Sequence, residues 1–542
     1  MAAPPARAVR PRRARDGVRG PHERAQPAGR RERADAGNRR PAPRGERVTA
    51  PVGHLPALAA AVLQPGFVGT TPPPWVCRWL GEGLGSVVLF ARNVVDTEQV
   101  ATLTATLRAE RPDVIVAIDE EAGDVTRIES GRGSSRPGNF ALGAVDDPAL
   151  TEAVARDLGA ELAAAGVTLD YAPDADVNSN PANPVIGVRS FGADPDLVAR
   201  HTAAWVRGLQ AGGVAACAKH FPGHGDTRVD SHHDLPRITA DRDRLDACEL
   251  APFRAAVAAG VQAVMTGHLL VPALDPHLPA TLSQRILGGL LRDELGFSGV
   301  VVTDAVEMRA VADRYGFAQA AVRALAAGAD AICIGGERAG EQDARELRDA
   351  IVAAVISGEL PEERLAEAAK RIGQLAAWTV ATRTARSTAR DATDVGLVAA
   401  RRAVRVTTAR PETVLPLTRP AYVVEFEPPR NIAIGAETPW GLGEPLGELL
   451  PGTSTVRYAE PDVPADPGAA AGDRPLVLVV RDLHRHAWMR AAVRRAVAAR
   501  PDAVVVELGV PELVTGAVHV ATHGATRASG WAAAEALTGR VR

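Results

Sequence analysis

Residues 296–308 read "GFSGVVVTDAVEM". The run from Val300 to Val302 is apolar throughout, which is typical of a parallel strand that is buried on both faces. Asp304 follows almost directly after this run. Taken alone, an aspartate at such a position is as often a helix N-cap as a catalytic group. The stretch therefore predicts a buried strand that delivers a carboxylate to one edge of a sheet.

Similar short β-branched runs recur along the chain from about residue 60. They alternate with Ala/Leu-rich segments of helical period, such as residues 147–166, which have Asp near the start and Gly at the end, as helix termini prefer. This alternation indicates a parallel sheet. The runs are "SVVLF" (86–90), "DVIVAID" (113–119), "VTLDYAP" (167–173), "AACAKHF" (215–221), "QAVMTGHL" (262–269), "GVVVTDA" (299–305) and "DAICIGG" (330–336), with "GFVGT" (66–70) as the candidate for an eighth.

Polar residues stand at the carboxyl ends of several of these runs. They are Asp119, Asp176, Lys219, His220, His268 and Asp304. In a (β/α)8 barrel the carboxyl ends of all strands meet at one face, which carries the active site. A doubly wound open sheet would concentrate such residues at one switch point instead. The sequence therefore favours an α/β fold with a (β/α)8 TIM-like barrel.

The same pattern divides the chain into four predicted segments. They are a disordered Arg/Pro/Ala-rich tail at 1–52, a catalytic barrel at 53–381, a linker at 382–397 and a smaller α/β layered domain at 398–542. The stretch "TRTARSTARDATDVG" (382–396) is polar, as expected of a linker. After it, apolar runs at 421–426, 474–482, 502–509 and 517–522 alternate with helical stretches.

The formal net charge of −3 hides a strongly basic start. Residues 1–50 contain 14 arginines and 5 acidic residues but almost no large apolar side chains. Such a segment cannot bury enough surface to fold, so we interpret it as a disordered tail. An Arg-rich arm that binds nucleic acid or an acidic surface is the alternative.

Other features of the composition narrow the class of protein. No run of 18 or more apolar residues is present, which predicts no transmembrane helix, and the basic start lacks the apolar stretch of a secretory signal. The four cysteines are scattered without a CxxC pair, so we expect buried thiols in a reduced compartment and neither a disulfide frame nor a zinc site. The expected location is the cytoplasm.

Residues 219–234, "KHFPGHGDTRVDSHHD", are rich in groups that titrate near neutral pH. The turn "FPG" separates His220 from His224, so their spacing disfavours a shared metal ion. "GHGDT" lacks the Lys-Ser/Thr end of a phosphate-binding loop. Asp230 and His232 lie two residues apart, so that the carboxylate can hold one imidazole nitrogen and set the tautomer of the other. This third option is proton transfer, and its alternative is a capped turn with a surface histidine.

Asp304 changes the balance between these alternatives. Together with Asp119, Lys219, His220 and the Asp230–His232 pair, it provides a nucleophilic carboxylate, a proton donor and charged groups suited to sugar hydroxyls. These are the parts of a retaining glycosidase.

Several long motifs, in order, resemble bacterial β-N-acetylglucosaminidases of glycoside hydrolase family 3, of the two-domain type. The resemblance runs from about residue 60 to 380. The motifs are "VVLFARN" (87–93), "AIDEEAG" (117–123), "DVNSNPANPVIGVRSFGADP" (176–195), "KHFPGHGDTRVDSH" (219–232), "MTGHL" (265–269) and "GFSGVVVTDAVEM" (296–308).

The resemblance implies a role for each matching residue. Asp304 would be the nucleophile, His232 the general acid/base and Asp230 the group that orients His232, on a loop whose mobility fits the glycines of "GHG". The sugar would be held by Asp119, Arg189, Lys219 and His220. The chain departs from the family pattern at Ala122, Asp124 and Asp174, and the reversed charge of Asp124 near the substrate rim could change what binds beyond the reacting sugar.

The expected activity is that of a retaining exo-acting β-N-acetylglucosaminidase that cleaves terminal GlcNAc from cell-wall muropeptides or chito-oligosaccharides, as in peptidoglycan recycling. One alternative is a phosphorylase, because a histidine that has lost its proton does not repel phosphate as a carboxylate would. The alternative from another class is a non-catalytic sugar-binding protein, against which the Asp304/His232/Asp230 set argues. No cofactor, metal, nucleic acid or membrane partner is expected.

Overall fold

The computed structural model describes residues 54–228, 234–384, 394–409, 415–429, 431, 433–435 and 438–542. The predicted Arg-rich tail therefore lies outside the described residues, as do Asp230 and His232. The predicted linker also falls largely outside them, so the domain boundaries at 381/382 and 397/398 stay predictions. No helix in the described ranges combines the length and the apolar character that a membrane crossing requires.

Eight parallel strands form the predicted barrel. They are β1 Leu63–Pro65, β2 Ser86–Leu89, β3 Ile115–Ile118, β4 Leu169–Asp170, β5 Ala215–Phe221, β6 Ala263–Thr266, β7 Val300–Thr303 and β8 Ile332–Ile334. β2 to β7 pair in sequence order and β1 pairs with β8. A bridge between Val302 and Ala331 joins β7 to the β8 side, and Ser86 Oγ donates to the Leu63 carbonyl oxygen at 3.1 Å between β2 and β1. These contacts complete the ring.

The position of the first strand corrects the sequence reading. β1 precedes the run "GFVGT" (66–70) that the sequence offers as the eighth strand. Gly66 still donates its N–H to Ile334, but Gly69 has a φ of 102° and turns the chain away from the sheet. Gly66 and Gly69 therefore mark the end of β1, and the run at 66–70 is not itself a strand.

Helices surround the barrel. They are α1 Leu55–Ala61, α2 Pro74–Glu82, α3 Thr97–Glu110, α4 Asn139–Val145, α5 Pro148–Ala164, α6 Pro195–Ala211, α7 Arg242–Ala247, α8 Ala251–Ala258, α9 Arg309–Tyr315, α10 Phe317–Ala327, α11 Glu341–Ser357 and α12 Glu362–Thr384, with a π-helical segment at Arg285–Glu294. Asp147 and Asp194 cap α5 and α6, each followed by a proline in the first turn. This Asp-Pro start satisfies free amide groups and presets the helical φ.

One end of the barrel is closed by a helix. Ile372, Leu375 and Ala376 of α12 pack with the side chains that fill the barrel interior. Arg383 of the same helix donates to the Pro112 carbonyl oxygen, which precedes β3. α12 therefore covers the amino-terminal ends of the strands, and the carboxyl ends are left to form a site.

The remainder of the chain folds as an α/β layer, as predicted. Its strands are β9 Arg405–Thr408, β10 Tyr422–Phe426, β11 Ser454–Tyr458, β12 Leu476–Val480, β13 Val504–Glu507 and β14 Val518–Ala521, and its helices are α13 Val395–Ala403, α14 Gly443–Leu449, α15 Ala487–Ala499 and α16 Arg527–Thr538. The strand order is β11-β10-β12-β13-β14-β9, parallel except for β9. We call this unit the second domain.

The apolar pattern of the sequence did not predict β9 and β11. Both lie at edges of the sheet. All four residues of β9 are exposed, and β11 alternates between half-buried and exposed positions. Because edge strands need no continuous apolar run, they lack the signal that identifies the four central strands.

A buried ion pair joins the barrel to the second domain and corrects the reading of Asp124. Its Oδ2 accepts from Arg481 NH2 at 2.5 Å, and its Oδ1 accepts from the Ala525 amide at 2.8 Å. Burial raises the pKa of Asp124, and Arg481 opposes this shift. The reversed charge is thus buried and paired with Arg481 of the second domain rather than exposed.

We expect Asp124→Ala to lower the free energy of unfolding by about 3–5 kcal/mol, because it leaves Arg481 buried without its partner. The control is Arg402→Ala, which removes the exposed 2.8 Å pair between α13 and Asp147. That change should cost less than about 1 kcal/mol. Urea unfolding measures both, and equal losses would contradict a special role for the buried pair.

Candidate active site

A cavity of about 450 Å³ opens at the carboxyl ends of the barrel strands. Five residues predicted from the sequence line it together, namely Asp119, Arg189, Lys219, His220 and Asp304. The other two predicted residues, Asp230 and His232, lie outside the described residues. The barrel therefore brings together every predicted site residue that the structure describes.

Asp304 follows β7 and is held by its backbone. Its amide donates to the Thr266 carbonyl oxygen at 3.1 Å, and its Oδ1 accepts from the Ala305 amide at 2.8 Å. His268 Nε2 lies 3.0 Å from the Ala305 carbonyl oxygen, and its Nδ1 lies 2.9 Å from Thr281 Oγ1. His268 thus supports the backbone that carries Asp304 rather than lining the cavity.

Lys219 is the centre of a buried ion cluster. Its Nζ contacts Asp119 Oδ1 and lies 2.6 Å from Glu121 Oε1. Arg189 donates to both oxygens of Glu121, at 2.9 and 2.6 Å. Arg127 NH2 donates to Asp119 Oδ2 at 2.9 Å. Two carboxylates and three cations thus meet at the base of the cavity, and both carboxylates are fully paired.

The cluster keeps its members ionised. Burial alone would raise the pKa of Asp119, but Lys219 and Arg127 hold it well below its usual range. Burial alone would lower the pKa of Lys219, but Asp119 and Glu121 raise it above its usual value. The cavity therefore presents a fixed carboxylate beside a fixed ammonium group, a pair suited to adjacent hydroxyls of a sugar ring.

The sequence reading missed Arg127 and the loop that positions it. Glu120 accepts hydrogen bonds from the amides of Arg127 (2.6 Å) and Ile128 (2.9 Å) and from Thr126 Oγ1 (3.0 Å). Burial raises the pKa of Glu120 to about 7. One feature of the sequence could have indicated them: they follow the predicted strand that ends in Asp119.

The second domain also reaches this cavity. Arg127 NH1 donates to the Ala433 carbonyl oxygen at 3.0 Å, and Ala433 lines the cavity. Asn431 Nδ2 donates to the Val185 carbonyl oxygen at 2.8 Å. The mouth of the barrel is therefore completed by a backbone segment of the second domain, which no motif in the sequence indicated.

His220 is oriented by Asp176. Its Nδ1 lies 2.8 Å from Asp176 Oδ2, and Asp176 Oδ1 also accepts from the His224 amide at 2.7 Å. Burial would raise the pKa of Asp176, but His220 brings it to about 2, so the carboxylate is ionised and the proton lies on His220 Nδ1. In the described part of the chain Nε2 of His220 has no hydrogen-bond partner, and His220 lines the cavity.

Asp174, Asp176 and His220 place one ligand atom each within 4.8 Å of one another, which is the metal-like arrangement found in the described residues. The 2.8 Å hydrogen bond uses one His220 nitrogen and one Asp176 oxygen. Burial raises the pKa of Asp174 well above its usual range, which favours a neutral carboxyl group, a poor metal ligand. The expectation that no metal binds stays a prediction.

The root of the predicted mobile loop is packed, not loose. A Cβ at Gly225 would lie 1.6 Å from the Val177 carbonyl oxygen, and one at Gly223, where φ is 128°, would lie 2.6 Å from Glu249 Cβ. Asn183 Nδ2 donates to the carbonyl oxygens of His224 and Gly225. These glycines therefore serve close packing against Val177 and Glu249.

Comparison with known proteins identifies the class. The model of the glycosyl hydrolase family 3 N-terminal domain matches residues 79–375. Because this match covers more than half of the chain, the chain belongs to glycosyl hydrolase family 3, which confirms the resemblance seen in its motifs.

Two proteins with known names show how similar the chain is to other family members. The chain is 35% identical over 386 residues to a "Beta-hexosaminidase A" of Pseudoalteromonas piscicida, an alignment that spans 66% of this chain and 64% of that protein. It is 38% identical over 257 residues to a "Beta-hexosaminidase" of Alkalilimnicola ehrlichii, spanning 46% of this chain and 73% of that protein.

A solved structure resembles both the barrel and the second domain. The family 3 β-N-acetylglucosaminidase from Paenibacillus sp. str. FPU-7 superposes with a TM-score of 0.80 at 35% identity, covering 90% of this chain and 97% of that one. This likeness confirms the predicted fold class of a barrel followed by an α/β layer.

The ion cluster predicts how stability depends on pH. In Lys219→Met, Asp119 and Glu121 lose their shared cation, so the pKa of one of them should rise in the folded state. Above the usual carboxyl pKa of about 4 the unfolded chain holds no such proton, so lowering the pH favours the folded variant. We expect the destabilisation relative to the unaltered protein to be larger at pH 8 than at pH 5.

Urea unfolding at pH 5, 6, 7 and 8 measures this difference. Lys370→Met, at an exposed position of α12, is the control and should show no such trend. A constant difference for Lys219→Met across this range would contradict the predicted proton uptake.

Proposed function

We propose that this chain is a retaining, exo-acting β-N-acetylglucosaminidase that removes terminal N-acetylglucosamine from muropeptides or chito-oligosaccharides. The observation that carries the proposal is the convergence of Asp304 with Asp119, Lys219, His220 and Arg189 on one barrel cavity. The names of the relatives, beta-hexosaminidase and β-N-acetylglucosaminidase, support the same substrate class.

The ion cluster would bind the terminal sugar. Ionised Asp119 accepts hydrogen bonds from hydroxyl groups, while Lys219 and Arg127 donate to hydroxyl oxygens. His220 offers its Nε2 from the other wall. Since the charged groups already pair with one another, they need little reorganisation when a sugar enters, which favours stabilisation of the transition state.

In the first step Asp304 attacks the anomeric carbon and forms a covalent glycosyl-enzyme while His232 protonates the leaving oxygen. Asp230 would hold His232 in the tautomer that places the proton toward the leaving group. In the sequence this pair follows the packed segment at Gly223 and Gly225.

In the second step water attacks the anomeric carbon and His232 takes its proton, which restores Asp304 and retains the configuration. His232 is neutral after the first step and does not repel an anion. Inorganic phosphate is therefore the natural competitor of water here. Product analysis in phosphate buffer distinguishes the two, because phosphorolysis would release N-acetylglucosamine 1-phosphate.

We also propose that the enzyme acts in the cytoplasm on fragments released from the cell wall. The four cysteines, Cys77, Cys217, Cys248 and Cys333, are all unpaired, and the last three are buried. Unpaired buried thiols support a reducing compartment. Cell fractionation with an antibody against the chain tests this part of the proposal.

The nucleophile gives the decisive test. Asp304→Gly should lower turnover of an aryl β-N-acetylglucosaminide at least about a thousandfold, because the covalent step is lost. Added azide should fill the space of the carboxylate, restore part of the activity and give the α-glycosyl azide. The control is Asp313→Asn, at an exposed position on α9. Turnover of the glycine variant near the unaltered rate would remove Asp304 from this role.

A further inference from the structure

A second cavity, of about 270 Å³, lies between the second domain and the barrel rim. Its walls come from residues 184 and 186–189 of the barrel and from segments of the second domain that include Trp440, Arg481 and Arg485. We call it the interdomain cavity. Its volume is near the lower limit for ligand pockets, which is the scale of a single sugar ring.

The topology of the second domain places this cavity at a switch point. β11 and β12 lie on opposite sides of β10, so the chain leaves β10 in one direction and later returns on the other side. In open parallel sheets, ligands bind in the crevice outside the carboxyl ends of the strands at such a reversal. The cavity is lined by the segments that follow β10 and β12. It therefore occupies the position where this sheet topology forms binding sites.

The loop after β12 is held rigidly. Glu507, at the end of β13, accepts from the amides of Asp482 at 2.8 Å and Leu483 at 3.0 Å. Asp482 Oδ1 accepts from the Val510 amide at 2.9 Å. These bonds fix the loop that presents Arg485 to the cavity, so a ligand would meet a preorganised wall.

The cavity is lined by three arginines and one carboxylate, that of Asp482. Arg481 is neutralised by Asp124, 2.5 Å away. Among the described residues, the Arg485 guanidinium forms no hydrogen bond or ion pair, although it lines the cavity near Asp482. A planar guanidinium that is not already paired is suited to a carboxylate, which it can bind through two parallel hydrogen bonds.

Apart from these charged groups, the walls of the cavity are apolar and aromatic. Pro428, Pro429, Ile434 and the half-buried ring of Trp440 line the second-domain side, and Ile186 and Val188 line the barrel side. Flat apolar surfaces of this kind pack against the C–H face of a sugar ring, while the cation selects an acidic substituent.

The interdomain cavity adjoins the active-site cavity. Arg189 lines both. Val185 and Ala433 line the active-site cavity, whereas their neighbours Ile186 and Ile434 line the interdomain cavity. Two single backbone segments therefore separate the cavities, and Asn431 links these segments through its 2.8 Å hydrogen bond to Val185.

We propose that the interdomain cavity binds a carboxylate-bearing sugar, with Arg485 as the group that recognises the carboxylate. The ligand is either the leaving-group sugar of the substrate, in which case the inference rests on the proposed function, or a free acidic sugar. Both sources share the same chemistry, and the two arms of the experiment separate them.

The first arm compares two disaccharides that differ at the leaving-group sugar by one lactyl carboxylate, N-acetylglucosaminyl-β-1,4-N-acetylmuramic acid and N,N′-diacetylchitobiose. Arg485→Gln should lower the ratio of their kcat/KM values (acidic over neutral) about tenfold, the value of one charge-assisted hydrogen bond in a partly open cavity. Arg485→Lys should keep most of the ratio. Arg494→Gln, at an exposed position of α15 outside the cavity, should keep all of it.

The second arm measures binding of free N-acetylmuramic acid and of N-acetylglucosamine by calorimetry, with the unaltered protein and with Arg485→Gln. Binding of the free acid that depends on Arg485, with an unchanged substrate ratio, identifies a free acidic sugar as the ligand. An unchanged ratio together with no Arg485-dependent binding overturns the proposal. Because calorimetry needs no turnover, it stays informative if the proposed hydrolysis fails.

Discussion

The ion cluster around Lys219 is the interaction on which the rest of the site depends. Moving isolated charges out of water costs several kcal/mol each, and pairing recovers this only when the geometry is good. Asp119 follows β3, Lys219 lies on β5, and Arg189 lies in the segment between β4 and α6. No two of these are neighbours in sequence, so their charges are neutralised only once the barrel has formed.

A lysine at the centre of this cluster has a physical reason. Of the 62 basic Lys and Arg residues in the chain, only Lys219 and Lys370 are lysines. Lys219 contacts Asp119 and Glu121 while Arg189 already covers the other side of Glu121. A compact ammonium group can point its protons at two carboxylates in this narrow space, whereas a planar guanidinium requires a wider fork.

The second domain acts as part of the barrel rim. Arg481 neutralises Asp124, and the Ala433 carbonyl accepts from Arg127, which in turn contacts Asp119. A change in the second domain can therefore reach the Asp119 carboxylate through only two contacts. This coupling also explains why the interdomain cavity lies so close to the active site: the loops that support the rim are the ones that follow the switch-point strands.

The amino-acid pattern by itself determined the barrel, the parallel core of the second domain and four cavity residues, Asp119, Lys219, His220 and Asp304, whereas Arg189 was implied by the resemblance to family 3. It could do so because buried parallel strands are continuous apolar runs whose carboxyl ends meet at one face. Only the tertiary structure decided the partner of Asp124, the roles of Gly225 and Arg127, and the edge strands β9 and β11. These depend on contacts between residues far apart in the chain, such as Asp124 with Arg481, and no local spacing or apolar period records such contacts.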